Sequence, residues 1–392
     1  MTVLEPNPTG APVLPVLPVL PVLPATLLQG AGGEPPQEKE DLRGWGDWPT
    51  PPWLDALGRW MAALLGAFLV FGAILMANGA DPARVLADAF DATFTENASL
   101  QQILIKATPF ALAALAVVVP ARAGLVNVGG EGQVLVGAIA AAGVGLWYDQ
   151  KVMGDALLIV MFLAAALAGA LWAGIAALLR LTVKVNEAIS TLLLNFIAID
   201  LLLYLIYDSW KDPYGSGQPA TRPLADRAKL QVFQGSIVNV GIIVAVVAAA
   251  VVLLLLVKTS WGFKLSVVGG NPEAARRAGM PVALLLLSAM LVGGALAGLA
   301  GAIQFSGVEY KLRPNLTYNI GYIAFLVSWL ARHRPIPVLL GSLAFAAITV
   351  AGDSLQIDSG LPSATVNILT GLILVAVLGW TGPAAKRKKA RA

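Results

Sequence analysis

The sequence predicts an all-α protein that crosses a membrane about ten times, and three observations support this fold class. Hydrophobic residues make up 57% of the 392 residues and charged residues only 12%, whereas about a quarter of the residues in soluble proteins are charged. The apolar residues are collected in long runs, and a helix of about 20 apolar residues crosses the hydrocarbon core. Basic residues are concentrated in alternate loops between the runs, which is typical of cytoplasmic loops. Both termini are therefore expected in the cytoplasm.

Composition divides the chain into three parts. Residues 1–52 hold twelve of the 25 prolines, and the Pro-Val-Leu units between Pro12 and Pro24 favour an extended chain over a helix. We predict a disordered tail over residues 1–52, a membrane domain over residues 53–382 and a basic cytoplasmic tail over residues 383–392.

Each long apolar run predicts one membrane span, and the polar segments between the runs predict loops. Residues 79–102 contain four carboxylates against one arginine and are predicted as a loop. Small residues at four-residue spacing, such as Gly294 and Gly298, predict close packing between helices. The predicted spans are residues 60–78, 103–119, 134–148, 156–179, 188–207, 238–257, 282–305, 320–331, 336–351 and 366–380.

The basic residues predict which loops are cytoplasmic. The basic loops all lie on the same side of the membrane only if the glycine-rich stretch at residues 124–133 separates two crossings. The basic residues concerned are Arg180, Lys184, Lys258, Lys264, Arg276, Arg277, Arg332 and Arg334, with five more between residues 386 and 391.

The stretch Gly124–Gln133, GLVNVGGEGQ, is polar and lies between two apolar runs. These runs, residues 108–120 and 134–148, are each short for a spanning helix. Non-helical backbone inside a membrane is tolerated only where it is buried in protein or lines a cavity. We therefore predict a broken or re-entrant helix near residues 120–134. A plain cytoplasmic turn between two helices is the alternative.

Polar side chains in this break and on the fifth predicted span are candidates for a substrate pathway. Glu187, Thr191 and Asn195 are four residues apart and therefore lie on one helical face. With the polar residues of the break, they supply donors and acceptors suited to the hydroxyl groups and base edges of a neutral ligand. Hydrogen bonding between helices is the alternative role. The six candidates are Asn127, Glu131, Gln133, Glu187, Thr191 and Asn195.

The loop of residues 258–281 contains the signals of a short cytoplasmic helix. Asn271 is a good N-cap, Pro272 suits the first helical position and Glu273 favours the positive end of the helix dipole. Contact with another protein is one role for such a helix, and rest on lipid headgroups is the alternative. The residues of the predicted contact are Asn271, Pro272, Glu273, Ala274, Ala275, Arg276, Arg277 and Gly279.

Three motifs occur in order: GLVNVGGEGQ, then NEAISTLLLNFIA at Asn186–Ala198, then GGNPEAARRAGM at Gly269–Met280. Together they resemble the permease subunits of bacterial ABC importers for nucleosides and simple sugars, within the branched-chain amino acid and ribose-type permease superfamily. The resemblance covers about residues 100–380. The segment SWLARHRP at Ser328–Pro335 departs from the family pattern, and Trp329 would narrow a pathway that it lined.

This resemblance implies a multi-pass protein of the bacterial cytoplasmic membrane. It implies that the helix in the 258–281 loop is a coupling helix that fits a groove in an ATP-binding subunit. It also implies a second, different permease subunit and a lipid-anchored substrate-binding protein. Gln133 is similar to the residue that ends the motif in the longer permease of such pairs.

Several function classes are excluded by what the sequence lacks. It contains no G-x-x-x-x-G-K-[ST] phosphate loop, so ATP is expected on partner subunits and not on this chain. With no cysteine and one histidine, thiolate or multi-histidine metal sites are excluded, and no cofactor or enzymatic activity is expected. The charge pattern predicts membrane topology rather than nucleic-acid binding. An ion-coupled secondary transporter of a small polar solute is the alternative, with Glu131, Asp200 and Glu187 as possible relay groups.

Overall fold

A computed structural model describes residues 52–77, 79–147, 156–215 and 217–358, together with residues 368, 371 and 372. The predicted proline-rich tail, most of the last predicted span and the basic tail lie outside the described residues. The described part is helical, and it contains α1 (Pro52–Ala77), α2 (Pro82–Phe94), α3 (Asn97–Arg122), α4 (Gly130–Trp147), α5 (Leu157–Thr182), α6 (Glu187–Tyr207), α7 (Gly241–Lys258), α8 (Ser260–Gly270), α9 (Pro272–Arg277), α10 (Val282–Gln304), α11 (Ile320–Leu330) and α12 (Pro335–Asp358).

Seven of the described helices are long and apolar enough to cross a membrane. They are α3, α4, α5, α6, α7, α10 and α12. The end of α1 and the whole of α2 meet at an angle of 114° and make an eighth candidate if they are counted as one span. An all-helical membrane fold is therefore confirmed.

The segment of residues 79–102 was predicted as a loop, and this prediction is wrong. Asp81 caps α2, because its Oδ1 atom accepts a hydrogen bond from the backbone N–H of Ala83 at 3.0 Å, and Pro82 follows at the first helical position. The next helix, α3, already begins at Asn97 and has 26 residues. The apolar run of residues 108–120 was predicted to be too short for a span, because the more polar first turns of α3 were counted as part of the preceding loop.

The span predicted at residues 320–331 is present as a helix with nearly the same bounds, but this helix is too short to cross the membrane by itself. Helix α11 has 11 residues, which rise by about 16 Å, roughly half the thickness of the hydrocarbon core. The residues before it are not helical. Asn315, Tyr318 and Asn319 have φ angles of 60°, 44° and 66°, a left-handed conformation that interrupts a helix.

The core of the described membrane domain is formed by α3, α4, α5 and α10. Small residues on α5 and α10 bring the two backbones into direct contact. A methyl group added at Gly298 would overlap the carbonyl oxygen of Ala165, and one added at Gly294 would overlap that of Gly169. The predicted role of these small residues in helix packing is thus confirmed.

Candidate functional site

The break between α3 and α4 comprises residues 123–129 and is shorter than predicted. Helix α4 begins at Gly130, so Glu131 and Gln133 lie in its first two turns rather than in the break. Both flanking helices are long enough to span the membrane. Asn127, in the break, is completely buried. The break is therefore a connection between two spans whose polar side chain points into the protein.

The polar face of α6 provides hydrogen-bond partners for this break. The Glu187 Oε1 atom accepts from the N–H of Val126 at 3.1 Å, and Thr191 Oγ1 accepts from the N–H of Val128 at 3.2 Å. One turn further on, Asn195 Nδ2 donates to the carbonyl oxygen of Val128 at 3.0 Å. Because these backbone groups of the break have no helical partner, the α6 side chains supply their hydrogen bonds.

Asn127 and Gln133 form a second set of contacts that holds the break. Their amide groups exchange two hydrogen bonds, from Asn127 Nδ2 to Gln133 Oε1 at 3.0 Å and from Gln133 Nε2 to Asn127 Oδ1 at 2.9 Å. Asn127 Oδ1 also accepts from the N–H of Gly129 at 3.1 Å. The amide pair thus fixes the position of the break relative to the start of α4.

Glu131 links α4 to α11. One carboxylate oxygen accepts a hydrogen bond from the Thr317 hydroxyl, and the other accepts from the N–H of Gly321 at 2.8 Å. A methyl group at Gly321 would overlap the backbone of Glu131, so the two helices touch at this point. A carboxylate at the N-terminus of a helix is stabilised by the free N–H groups and by the helix dipole.

Thr317 and Gly321 were not predicted from the sequence as partners of Glu131. They are 186 and 190 residues away along the chain, and a sequence without fixed long-range contacts does not pair them. The one feature of the sequence that could have indicated this contact is Gly321, a glycine that follows a polar segment and allows close approach of another backbone.

The structure brings all six predicted pathway residues into one buried cluster. None is more than 4% exposed, and each has hydrogen-bond partners within the protein. Glu187 additionally forms an ion pair with Arg180. Direct contact of these residues with a solute stays a prediction, while the geometry favours the alternative role of hydrogen bonding between segments.

The 258–281 loop contains two helices, whereas one was predicted. The second, α9, matches the predicted helix: Asn271 Oδ1 accepts from the N–H of Ala274 at 3.0 Å, and Gly279 follows the helix with a φ angle of 77°. The first, α8, was missed, although Thr259 is its N-cap and the polar residues 258–260 separate it from the apolar run of α7.

Helix α8 connects the loop to the break. Arg122 Nε, at the end of α3, donates to Ser266 Oγ at 2.8 Å. A methyl group at Gly269 would overlap the carbonyl oxygen of Arg122, and the Cβ position at Gly124 lies 3.3 Å from the Gly269 Cα atom. This loop is therefore in direct contact with the residues that begin the break.

Helix α9 presents charged side chains outward. The Arg277 side chain is 81% exposed, and Arg276 and Arg277 both pair with Glu273, at 2.8 and 3.4 Å. Ala275 is completely buried and attaches the helix to the domain. The outer face is thus a compact, polar protrusion on a fixed base.

Comparison with known proteins decides the family. A family profile described as "Branched-chain amino acid transport system / permease component" matches residues 99–378. The chain belongs to this permease family. It is a multi-pass protein of the cytoplasmic membrane and the permease component of an ABC importer.

Individual relatives cover most of the chain. The glucose ABC transporter permease protein TsgB13 of Haloferax volcanii is 36% identical over 342 residues, which cover 84% of this chain and 88% of the relative. The guanosine ABC transporter permease protein NupP of Bacillus subtilis is 32% identical over 325 residues, which cover 81% and 91%. NupQ of the same organism, also a guanosine permease protein, is 27% identical over 292 residues, which cover 71% and 89%.

Proposed function

We propose that this ABC permease carries nucleosides or related simple sugars across the cytoplasmic membrane. The observation that carries the proposal is the similarity to a glucose permease and a guanosine permease over more than four-fifths of the chain. The cytoplasmic α9 protrusion, the α8 helix and the buried break form one connected set of contacts. In this proposal they transmit the movement of an ATP-binding subunit to the pathway.

The proposed assembly contains a second, different permease, an ATP-binding subunit and a substrate-binding lipoprotein. Two guanosine permease proteins of Bacillus subtilis are both similar to this chain, at 32% and 27% identity. Two related permeases in one organism support a heterodimeric pore, in which this chain takes the place of the permease with the higher identity.

The proposed topology keeps ten crossings and cytoplasmic termini. Seven described helices supply full-length spans, and the bent α1 and α2 pair supplies one more. Helix α11 with the non-helical residues before it is assigned the ninth crossing, and the tenth is the span predicted from the sequence at residues 366–380, which lies mostly outside the described residues. In this topology α9 and the α11–α12 connection lie on the cytoplasmic side.

The six buried polar residues are assigned a supporting role in this proposal. Because their hydrogen bonds are directed to neighbouring backbone and side chains, they fix the wall of the pathway. Glu131 is held by Thr317 and Gly321 and accepts these bonds as a carboxylate throughout transport.

Crosslinking from α9 tests the proposed contact with the ATP-binding subunit. The chain has no cysteine, so a single introduced thiol is the only attachment point. Arg277→Cys, at an outward position, is expected to crosslink to the ATP-binding subunit of the assembled transporter. Ala275→Cys, two residues away and completely buried, is the matched control and is expected to give no product. Equal absence of product from both positions contradicts the proposed contact.

A further inference from the structure

A line of aromatic side chains follows α11 and is not used by any of the contacts described above. Tyr322, Phe325 and Trp329 are three and four residues apart and share one face of the helix. Tyr318, in a left-handed conformation, precedes α11, and His333 follows the helix. Ring centroids are 5.9 Å apart between Phe325 and Trp329 and 5.5 Å apart between Trp329 and His333.

Two of these aromatic side chains are exposed in the single chain. Tyr318 is 55% exposed and Trp329 is 45% exposed. Asn315 and Asn319, which lie next to Tyr318 in the sequence, are exposed as well. The six buried polar residues have no comparable open surface, so this face offers the larger area for contact with a solute.

The depth of residues 310–319 is fixed by contacts on both sides. Leu312 exchanges two hydrogen bonds with Thr221 in the loop between α6 and α7, each at 3.0 Å. Gln304 Nε2, at the end of α10, donates to the carbonyl oxygen of Leu316 at 3.1 Å. Thr317 reaches Glu131 near the start of the α4 span. The segment therefore passes from a loop into the region between spans.

Irregular backbone at this depth does not face lipid. Its N–H and C=O groups need partners that hydrocarbon does not supply, so such segments are buried in protein or line a water-filled cavity. The exposed amides of Asn315 and Asn319 have the same requirement. Since these residues are not covered by the described part of this chain, they face water, another subunit or a part of this chain outside the described residues.

The chemistry of this face suits a neutral, flat solute. Aromatic rings stack on nucleobases and on the apolar faces of sugar rings, and stacking of a base is worth about 1–3 kcal/mol. The neighbouring amides bond hydroxyl groups or base edges. No carboxylate lies on the line. The Arg313 guanidinium lies 5.6 Å from the Tyr318 ring centroid and donates to the Tyr318 hydroxyl at 2.8 Å, and its charge is paired with Glu309 at 2.6 Å.

We propose that the aromatic line of Tyr318, Tyr322, Phe325 and Trp329, with Asn315 and Asn319 at its outer end, lines the translocation pathway. It stacks on a planar nucleobase or packs against the apolar face of a sugar ring in a neutral polar solute. The identity of the solute class rests on the proposed function, whereas the exposure of this face to water does not.

The first experiment tests exposure in the assembled transporter. Asn315→Cys, Tyr318→Cys and Trp329→Cys are treated with a charged, water-soluble maleimide in the cysteine-free chain. The controls are Val246→Cys on α7 and Leu167→Cys on α5, where the native side chains are 52% and 65% exposed in the single chain and are expected to face lipid. The three test positions should react at least tenfold faster than the controls. Test rates no higher than the control rates overturn the proposal, because the face then contacts lipid or another subunit.

The second experiment tests contact with the solute. Tyr318→Leu and Trp329→Leu should each lower the initial uptake rate at low solute concentration about tenfold, which corresponds to about 1.4 kcal/mol. Tyr318→Phe and Trp329→Phe keep a ring and should retain most of the uptake. Phe90→Leu, on α2 and 60% exposed, is the control and should have no effect. Unchanged uptake in both leucine variants overturns stacking.

These outcomes separate the aromatic line from the proposed function. Competition of uptake by nucleosides and by hexoses shows which flat ring is recognised. If the native transporter takes up either class but the test positions do not react, the proposed function is supported and the proposed role of the aromatic line is contradicted. If the test positions react but the transporter takes up neither class, the exposure of this face to water is supported and the proposed substrates are contradicted.

Discussion

At the scale of single residues, Glu131 has the most distant and most specific contacts of the buried polar cluster. It accepts from Thr317 and from the N-terminus of α11, and it therefore holds a short helix that lacks a helical connection on its outer side. Its role is argued from these bonds, since a carboxylate between spans is stable only when its partners are fixed.

Replacement of Glu131 by alanine should destabilise the protein. Glu131→Ala leaves the N–H of Gly321 and the hydroxyl of Thr317 without an acceptor, at a cost of about 1–3 kcal/mol. Glu131→Gln retains one carbonyl acceptor and should therefore destabilise the protein less than Glu131→Ala. Thermal unfolding in detergent measures the difference, with Glu273→Ala as an exposed control that should change little. An unfolding temperature of Glu131→Ala equal to that of the native chain would show that these bonds do not hold α11.

The sequence predicted the residue types of the cluster but not their pairing. Helical spacing placed Glu187, Thr191 and Asn195 on one face, and the structure confirms this arrangement. The partners are backbone groups of the break, because a non-helical segment has free N–H and C=O groups that helices elsewhere satisfy internally. Backbone groups have no signature in the sequence, so polar side chains alone indicated a ligand as readily as a structural bond.

At the scale of elements, the predictions were most accurate for long apolar helices and least accurate where helices begin or stop in polar sequence. Helix α9 was predicted because its caps are local: Asn271, Pro272 and Gly279 each carry a conformational preference. Helix α11 was predicted with nearly its observed bounds, but the left-handed residues Tyr318 and Asn319 before it were not predicted. Tyr318 is held there by a hydrogen bond from Arg313 to its hydroxyl, a contact that only the fold provides.

The contact between α5 and α10 gives a prediction at this scale. Gly298→Ala places a methyl group against the carbonyl oxygen of Ala165, and the helices must separate to accept it, at a cost of about 1–3 kcal/mol. Gly66→Ala in α1 is the matched control, because the added methyl group meets nothing within 4 Å. The temperature of thermal unfolding should fall clearly for Gly298→Ala and should not change for Gly66→Ala. Equal values for both variants would show that the two helices are not in backbone contact.

At the scale of the whole molecule, composition and charge were sufficient to predict an all-α membrane fold, because both depend on the lipid environment and not on details of packing. The expected number of crossings came from apolar runs and loop charges, and seven full-length spans are present among the described residues. The motif order indicated the family, which the match over residues 99–378 then confirmed. Neither motifs nor fold show how a permease is driven, so the source of energy is the central claim to test.

Accumulation of solute in vesicles tests this claim most directly. The chain is reconstituted with its partner permease, first without and then with the ATP-binding subunit, ATP and the substrate-binding protein. The account predicts no accumulation against a gradient in the first case and ATP-dependent accumulation in the second. Accumulation driven by an ion gradient in vesicles that contain no nucleotide-hydrolysing subunit would contradict it.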